Sequence, residues 1–222
     1  MQPSDFDFSR FYHPHLEPLF RKGFSVYDLE IKKGILFPGD RSNPYHPSFE
    51  YCKGFDDFSN MGISTAALYT SRDDRYSVYE DRTKNRFIAQ LKAPLIIGYN
   101  SRKFDNVLLG AEWGYRPPEA STYDLLEEIW IGLGHGNQPF AKETHGGYGL
   151  DRMAKANLNY GKTDEGKFAP MMWQTGRQIE VADYNLGDVA RTRALALLVQ
   201  LQGYLISPKD GSKIKIRRPV EP

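Results

Sequence analysis

The chain has 222 residues, of which 40% are hydrophobic and 26% charged, with a net charge of +1. This length fits one domain over residues 1–222, and no apolar run is long enough for a transmembrane helix. A near-zero net charge gives no general field for a polyanion, so nucleic-acid binding would need local basic patches or metal ions. Cys52 is the single cysteine, which excludes an internal disulfide. With no secretory signal visible near the N-terminus, we expect a cytoplasmic protein without a membrane partner.

Strand patterns dominate the first half of the chain. Residues 24–30 mix aromatic and β-branched side chains after a glycine, which predicts the first strand. Residues 32–60 are rich in Pro, Gly, Asp, Asn and Ser and predict an inserted loop. Residues 62–70 and 76–80 predict two further strands joined by a polar turn. We expect the three strands to form an antiparallel meander.

Helical spacing is more frequent in the second half. A helix is predicted over 85–92, before a compact apolar run at 94–99 that indicates a central strand buried on both faces. Further helices are predicted at the ranges 103–113, 123–131 (opening with a strand turn at 122–124), 150–158 and 185–201. A glycine-rich loop (132–149) and a basic C-terminal tail (207–222) complete the chain. The order predicts an α/β fold: a core over about 24–202 with a mixed central sheet, the meander plus parallel strands, flanked by helices.

Two acids lie on the first strand. Asp28 and Glu30 are two residues apart, so the strand period of two directs both carboxylates to the same side. Carboxylates held together repel each other unless a cation or proton lies between them, which makes the pair a natural ligand for a hard metal ion. Taken alone, the pair favours a solvated strand edge.

Two later segments carry similar chemistry. Asp105 follows the buried strand, where mixed sheets place their sites, together with Asn100 and Phe104. Asn100 could orient a substrate group or a carboxylate, Phe104 could pack into the core, and either could be an ordinary cap or core residue. Tyr184 and Asp188 are four residues apart at the start of the last helix, on one face, after a possible capping Asp183.

Three motifs follow one another along the chain: DxE on a strand, NxxxFD after a buried strand, and YxxxD on a late helix. In this order, the sequence resembles the DEDD (DnaQ-like) 3′–5′ exonucleases, specifically the tyrosine-type subclass. The resemblance spans residues 24–201, and residues 147–158 resemble the helix that precedes the third motif. It implies an RNase H-like fold. It also implies that two Mg²⁺ or Mn²⁺ ions are held by the motif carboxylates Asp28, Glu30, Asp105 and Asp188.

The resemblance implies roles for further residues. Asp28 would bridge both ions, and Tyr184 would orient the attacking water, because a phenol with an ordinary pKa of about 10 is a poor base at neutral pH. Substrate contacts are implied for the motif neighbours Leu29, Ile31, Asn100 and Phe104. The residues after Glu30 lack the Thr-Gly often seen in proofreading subunits. The 32–60 insertion could form a strand-binding channel or a solvated surface loop; the channel would use Arg41, Tyr45, Tyr51 and Lys53.

We therefore expect a 3′–5′ exonuclease acting on a free 3′ end, single-stranded DNA being favoured over RNA. A non-catalytic RNase H-like nucleic-acid-binding module and an RNA-processing nuclease or endonuclease on the same fold are the alternatives. Other chemistries lack their motifs. The glycines of the phosphate-binding loop and of the dinucleotide fold are absent at the required spacing, and no GxSxG sequence is present.

Overall fold

The structure, a computed structural model, describes residues 13–35, 46–136, 144–160 and 168–221. The strands, in chain order, are β1 Phe24–Ile31, β2 Gly34–Ile35, β3 Tyr51–Cys52, β4 Ile63–Thr70, β5 Arg75–Tyr79, β6 Leu95–Gly98, β7 Thr122–Asp124, β8 Tyr204–Ile206 and β9 Lys213–Lys215. The helices are α1 Glu17–Lys22, α2 Phe58–Met61, α3 Lys84–Leu91, α4 Asp105–Trp113, α5 Leu125–Gly132, α6 Leu150–Leu158, α7 Ala169–Gln174 and α8 Gln178–Gln202.

A mixed five-stranded sheet forms the centre of the fold, in the order β5-β4-β1-β6-β7. An antiparallel meander is formed by β1, β4 and β5. On the other side of β1, β6 pairs with it in parallel, and β7 pairs in parallel with β6. Short turns can join antiparallel neighbours, but the parallel pairs need crossovers, which α3 and α4 supply. The predicted α/β class and the mixed sheet are therefore confirmed. The strand predicted at 94–99 is β6, which is fully buried and lies beside the middle strand β1.

Alternation along β1 divides the core between the two faces of the sheet. Phe24 and Val26 pack in the cluster that contains Val189 and Leu195 of α8. Tyr27 and Leu29 point to the other face, where they join Phe87 of α3 and neighbouring side chains of α4. Asp28 and Glu30 continue the Phe24 and Val26 series, so they lie on the α8 face. The strand period thus places the two acids under the long helix.

Three sequence predictions differ from the observed elements. Helix α8 begins at Gln178 rather than residue 185, so Asp183 lies inside the helix and does not cap it. The described part of the predicted 32–60 loop contains β2, β3 and α2, because Gly34 and Ile35 pair in parallel with Tyr51 and Cys52. Helices α1 and α7 were not predicted. Both are six residues long and too short to show an amphipathic period.

The basic C-terminal segment is a docked hairpin, which the prediction of a tail did not anticipate. Strands β8 and β9 pair antiparallel, and Ile214 is buried in the core of the α8 face. Gly132 permits this docking, because a Cβ there would lie 2.2 Å from the Lys215 carbonyl oxygen. Arg217 pairs with the buried Glu128 of α5. None of the helices in the described ranges is long and apolar enough to cross a membrane.

Candidate metal centre

The carboxyl-terminal half of β1 carries the first two acids of the site. Asp28 and Glu30 are half-buried on the α8 face and lie opposite Ala67 and Thr65 of β4. The ladder is irregular just after Glu30, where the register with β4 shifts. Because β1 has a partner strand on one side and a helix above it, the two carboxylates are held on a rigid base.

Helix α8 brings a third carboxylate to this pair. One oxygen each of Asp28, Glu30 and Asp188 can be chosen so that all three lie within 4.8 Å of one another. Oxygen ligands at about 2.0–2.6 Å from one divalent ion are at most about 4–5 Å apart, so the three acids fit a hard cation. Without a cation, three such charges repel. The arrangement is therefore a candidate site for a divalent metal ion.

The fourth predicted acid, Asp105, lies next to this group and is not one of its three members. Asp105 is the first residue of α4 and is 4% exposed. The β1–β6 ladder ends at Val26, and beyond it the Leu29 N–H donates to Asp105 Oδ1 at 3.1 Å. Burial, together with the charges of Asp124 and Asp188, raises the pKa of Asp105 to about 8. Asp105 is thus tied to the main chain between the two acids of β1.

Asn185 fixes the position of α8 over the sheet. It is fully buried, and its side-chain Oδ1 accepts a hydrogen bond from Ala67 N at 3.0 Å. Its Nδ2 donates to the Thr65 carbonyl at 3.3 Å and to Thr65 Oγ1 at 3.2 Å. These two β4 residues are the partners of Asp28 and Glu30 in the ladder. Asn185 therefore sets the distance between the α8 acid and the β1 acids. Sequence reasoning missed it, because nothing in the pattern marks a helical Asn as buried.

Arg191 holds the Asp188 carboxylate from the side. It lies one helical turn later, is 4% exposed, and its Nη2 donates to Asp188 Oδ1. Its Nε lies 3.7 Å from Asp151 Oδ1 at the beginning of α6. The guanidinium offsets the negative charge of the group and orients one ligand. An arginine shortly before the apolar run of residues 194–199 in the last helix was the signal that could have identified it.

Asp124 organises the loop that leads to Asp105. Its buried carboxylate accepts from Leu126 N at 3.0 Å, which caps α5, and from the main-chain N–H groups of Asn100 (2.9 Å) and Arg102 (3.0 Å). Asn100 is left-handed, with φ 61°, a conformation that Asn tolerates better than most residues. Asp124 was also missed, although an Asp before an apolar helical run is a recognised capping signal.

The remaining predicted residues are divided between the site and the core. Tyr184 is half-buried, one turn before Asp188 on the same face of α8. Phe104 is also half-buried, and its ring contacts those of Phe55 and Phe58, with centroid distances of 6.0 Å and 5.7 Å. The side chains of Leu29 and Ile31 are buried in the core on the other face. Only their main chain is therefore placed to touch a nucleotide.

Two of the four residues of the channel hypothesis, Tyr51 and Lys53, lie in the described part of the insertion. Arg41 and Tyr45 lie outside the described residues. The ring of Tyr51 packs on Gly34, and its hydroxyl accepts a hydrogen bond from His46 N at 3.1 Å. The main-chain N–H of Lys53 donates to Asp57. A binding role for these residues stays a prediction.

Comparison with known proteins identifies the fold. No family model matches the chain, and no curated protein sequence matches it. Solved structures do match, among them a family B DNA polymerase from the hyperthermophilic archaeon Pyrobaculum calidifontis, with a TM-score of 0.50 and 18% sequence identity. The match covers 80% of this chain and 24% of the polymerase, so the chain spans about a quarter of that protein's length. The chain therefore has an α/β fold with a helix-flanked mixed sheet of the RNase H-like type.

Proposed function

We propose that the chain is a metal-dependent 3′–5′ exonuclease of the tyrosine-type DEDD class, formed as one catalytic domain, that hydrolyses phosphodiester bonds. The observation that carries the proposal is the group of Asp28, Glu30 and Asp188, gathered from a strand and a distant helix over an RNase H-like sheet. Acids more than 150 residues apart have no local reason to converge, and their mutual repulsion opposes it. A cation-dependent activity explains why the fold keeps them together.

Each residue has a distinct role in this proposal. The cations would be held by Asp28, Glu30 and Asp188. Asp105 would add a fourth carboxylate, and it is held near the other three by the hydrogen bond that it accepts from the Leu29 N–H. Two Mg²⁺ or Mn²⁺ ions would activate the attacking water and stabilise the leaving 3′ oxygen. The hard oxygen ligands suit those metals. Tyr184, one turn before Asp188, would position the water with its hydroxyl group.

Two side chains near the acidic residues in sequence and one structural comparison favour a nucleic-acid strand as the substrate. Phe104 directly precedes Asp105 in the sequence and is half-buried, so its ring offers a surface on which a base can stack, and Asn100 is in the same loop. One matching solved structure is a DNA polymerase, which favours DNA over RNA. A single strand with a free 3′ end would place its last phosphodiester over the acidic group.

The test is a cleavage assay with 5′-labelled single-stranded DNA, duplex DNA and RNA, in Mg²⁺ and in chelator. Wild type should give a ladder of shortened products only with Mg²⁺, and Asp188→Asn should abolish it. Asp183→Asn is the matched control, since Asp183 is exposed on the same helix outside the acidic group. Binding without cleavage would instead identify a non-catalytic module, and cutting of a closed circle an endonuclease.

A further inference from the structure

A second groove lies at the other end of the central sheet from the acidic group. It has a volume of about 600 Å³ and is formed by α1, the start of β1, the turn after β4, and the end of α3 with the residues that follow it. From the groove residues Phe24 and Ser25 to the acids Asp28 and Glu30 is three to six residues of strand, about 10–20 Å at about 3.4 Å per residue. The groove is therefore separate from the candidate metal centre.

The lining of this groove is strongly basic. Four cations line it, Arg21, Lys22, Arg72 and Lys92, against one carboxylate, Asp73. Four minus one gives a formal charge of +3 in one groove, whereas the whole chain carries +1. Arg21 pairs with Glu17. Within the described ranges, no carboxylate lies at ion-pair distance from the other three cations, so their charge is available to an anion.

The groove also presents an aromatic surface on a fixed base. Phe20 is 38% exposed and packs edge-on against Phe24, with ring centroids 5.4 Å apart. The Phe24 N–H donates to Ser71 Oγ at 2.8 Å, which ties the turn after β4 to the start of β1. Basic side chains along a groove, with an accessible aromatic ring, are the usual means of holding a single nucleic-acid strand, through phosphate contacts and base stacking.

We propose that this groove, here named the distal groove, binds the phosphodiester backbone of a single-stranded nucleic acid, several nucleotides away from the end at the metal centre. The proposal rests on the proposed function in assuming that one strand reaches both places. A dinucleotide has a single phosphodiester bond, which would lie at the metal centre, so it has no second phosphodiester for the groove. A strand of 20 nucleotides is long enough for both.

The test compares two charge-reversed proteins. Arg72→Glu with Lys92→Glu alters the distal groove, and Arg86→Glu with Lys155→Glu is the control, since those exposed cations lie outside it and the net charge changes equally. Binding of a fluorescent 20-mer is measured by anisotropy in chelator, across salt concentrations. We expect about tenfold weaker binding for the groove variant, and a slope of log K against log salt smaller by about 1.4, because two phosphate contacts are lost at about 0.7 each.

Further readouts separate this proposal from the proposed function. Cleavage of a dinucleotide in Mg²⁺ should be the same in all three proteins. If the groove and control variants bound the 20-mer equally, the proposal that the distal groove binds the strand would be wrong, even with cleavage intact. Conversely, groove-dependent 20-mer binding without any cleavage would support the groove and refute the nuclease. If a poly-glutamate peptide bound in a groove-dependent manner and the 20-mer did not, the groove would be a protein-docking site and the proposal would be wrong.

Discussion

Replacing Asn185 with leucine tests whether α8 is positioned by one buried amide. Leucine has a similar size but cannot hydrogen-bond, so the Ala67 N–H and the Thr65 carbonyl each lose a partner. A buried polar group left without a partner costs about 1–3 kcal/mol. We expect the free energy of unfolding to fall by about 3 kcal/mol. Because Asp188 lies three residues further along the same helix, Mn²⁺ binding should also weaken, by about 10–100-fold as for other residues that support metal ligands.

The control for this change is Asn157→Leu. Asn157 makes a comparable set of contacts, with Met153 O at 2.9 Å, Ile206 O at 3.0 Å and Ile206 N at 2.7 Å, but these join α6 to β8. Urea unfolding gives the stability of each variant, and calorimetric titration under native conditions gives its Mn²⁺ affinity. Both variants should lose stability, Asn157→Leu less because its hydrogen bonds are only part-buried, and only Asn185→Leu should lose affinity. An equal loss of affinity in the two would refute the positioning role.

Three other changes test the site. Tyr184→Phe should lower turnover about 10²-fold or more while leaving strand binding in chelator unchanged; an unchanged rate would remove the hydroxyl from the mechanism. Asp28→Asn should abolish cleavage with little loss of stability, since it relieves repulsion; circular dichroism and the ladder assay check both. Burial raises the pKa of Asp105 from an ordinary value of about 4 to about 8, so this group should lower the stability of the metal-free protein progressively as the pH rises from about 4 to about 8, and no further above that. Urea unfolding in chelator at pH 6 and 9 should show this loss in wild type and not in Asp105→Asn, and equal losses would contradict it.

Local patterns were sufficient to predict most of the sheet. Apolar runs and turn residues predicted β1, β4, β5 and β6 to within a residue or two, because strand periodicity and turn chemistry act over short distances. The helix at 150–158 was predicted with its observed limits. Pairing of β2 with β3 could not be predicted. Each strand has two residues, and the register depends on pairing between residues 17 apart in sequence.

The acids could be named from the sequence, but their support could not. Spacing placed Asp28 with Glu30 on one side of a strand, and the motif order pointed to Asp188. Asn185, Arg191 and other supporting residues act through contacts across the fold, and such contacts depend on how α8 packs on β4 and α6. The burial of Leu29 and Ile31 likewise follows from which sheet face α8 covers, and not from the motif.

The most direct test is Mn²⁺ binding by the whole chain, measured from the electron paramagnetic resonance signal of the free ion. Wild type should bind Mn²⁺, and Asp28→Asn and Asp188→Asn should each weaken binding at least about tenfold. Asp183→Asn should bind like wild type. If wild type failed to bind Mn²⁺ at millimolar concentration, or if Asp188→Asn and Asp183→Asn bound it equally, the three gathered carboxylates would not form a metal centre.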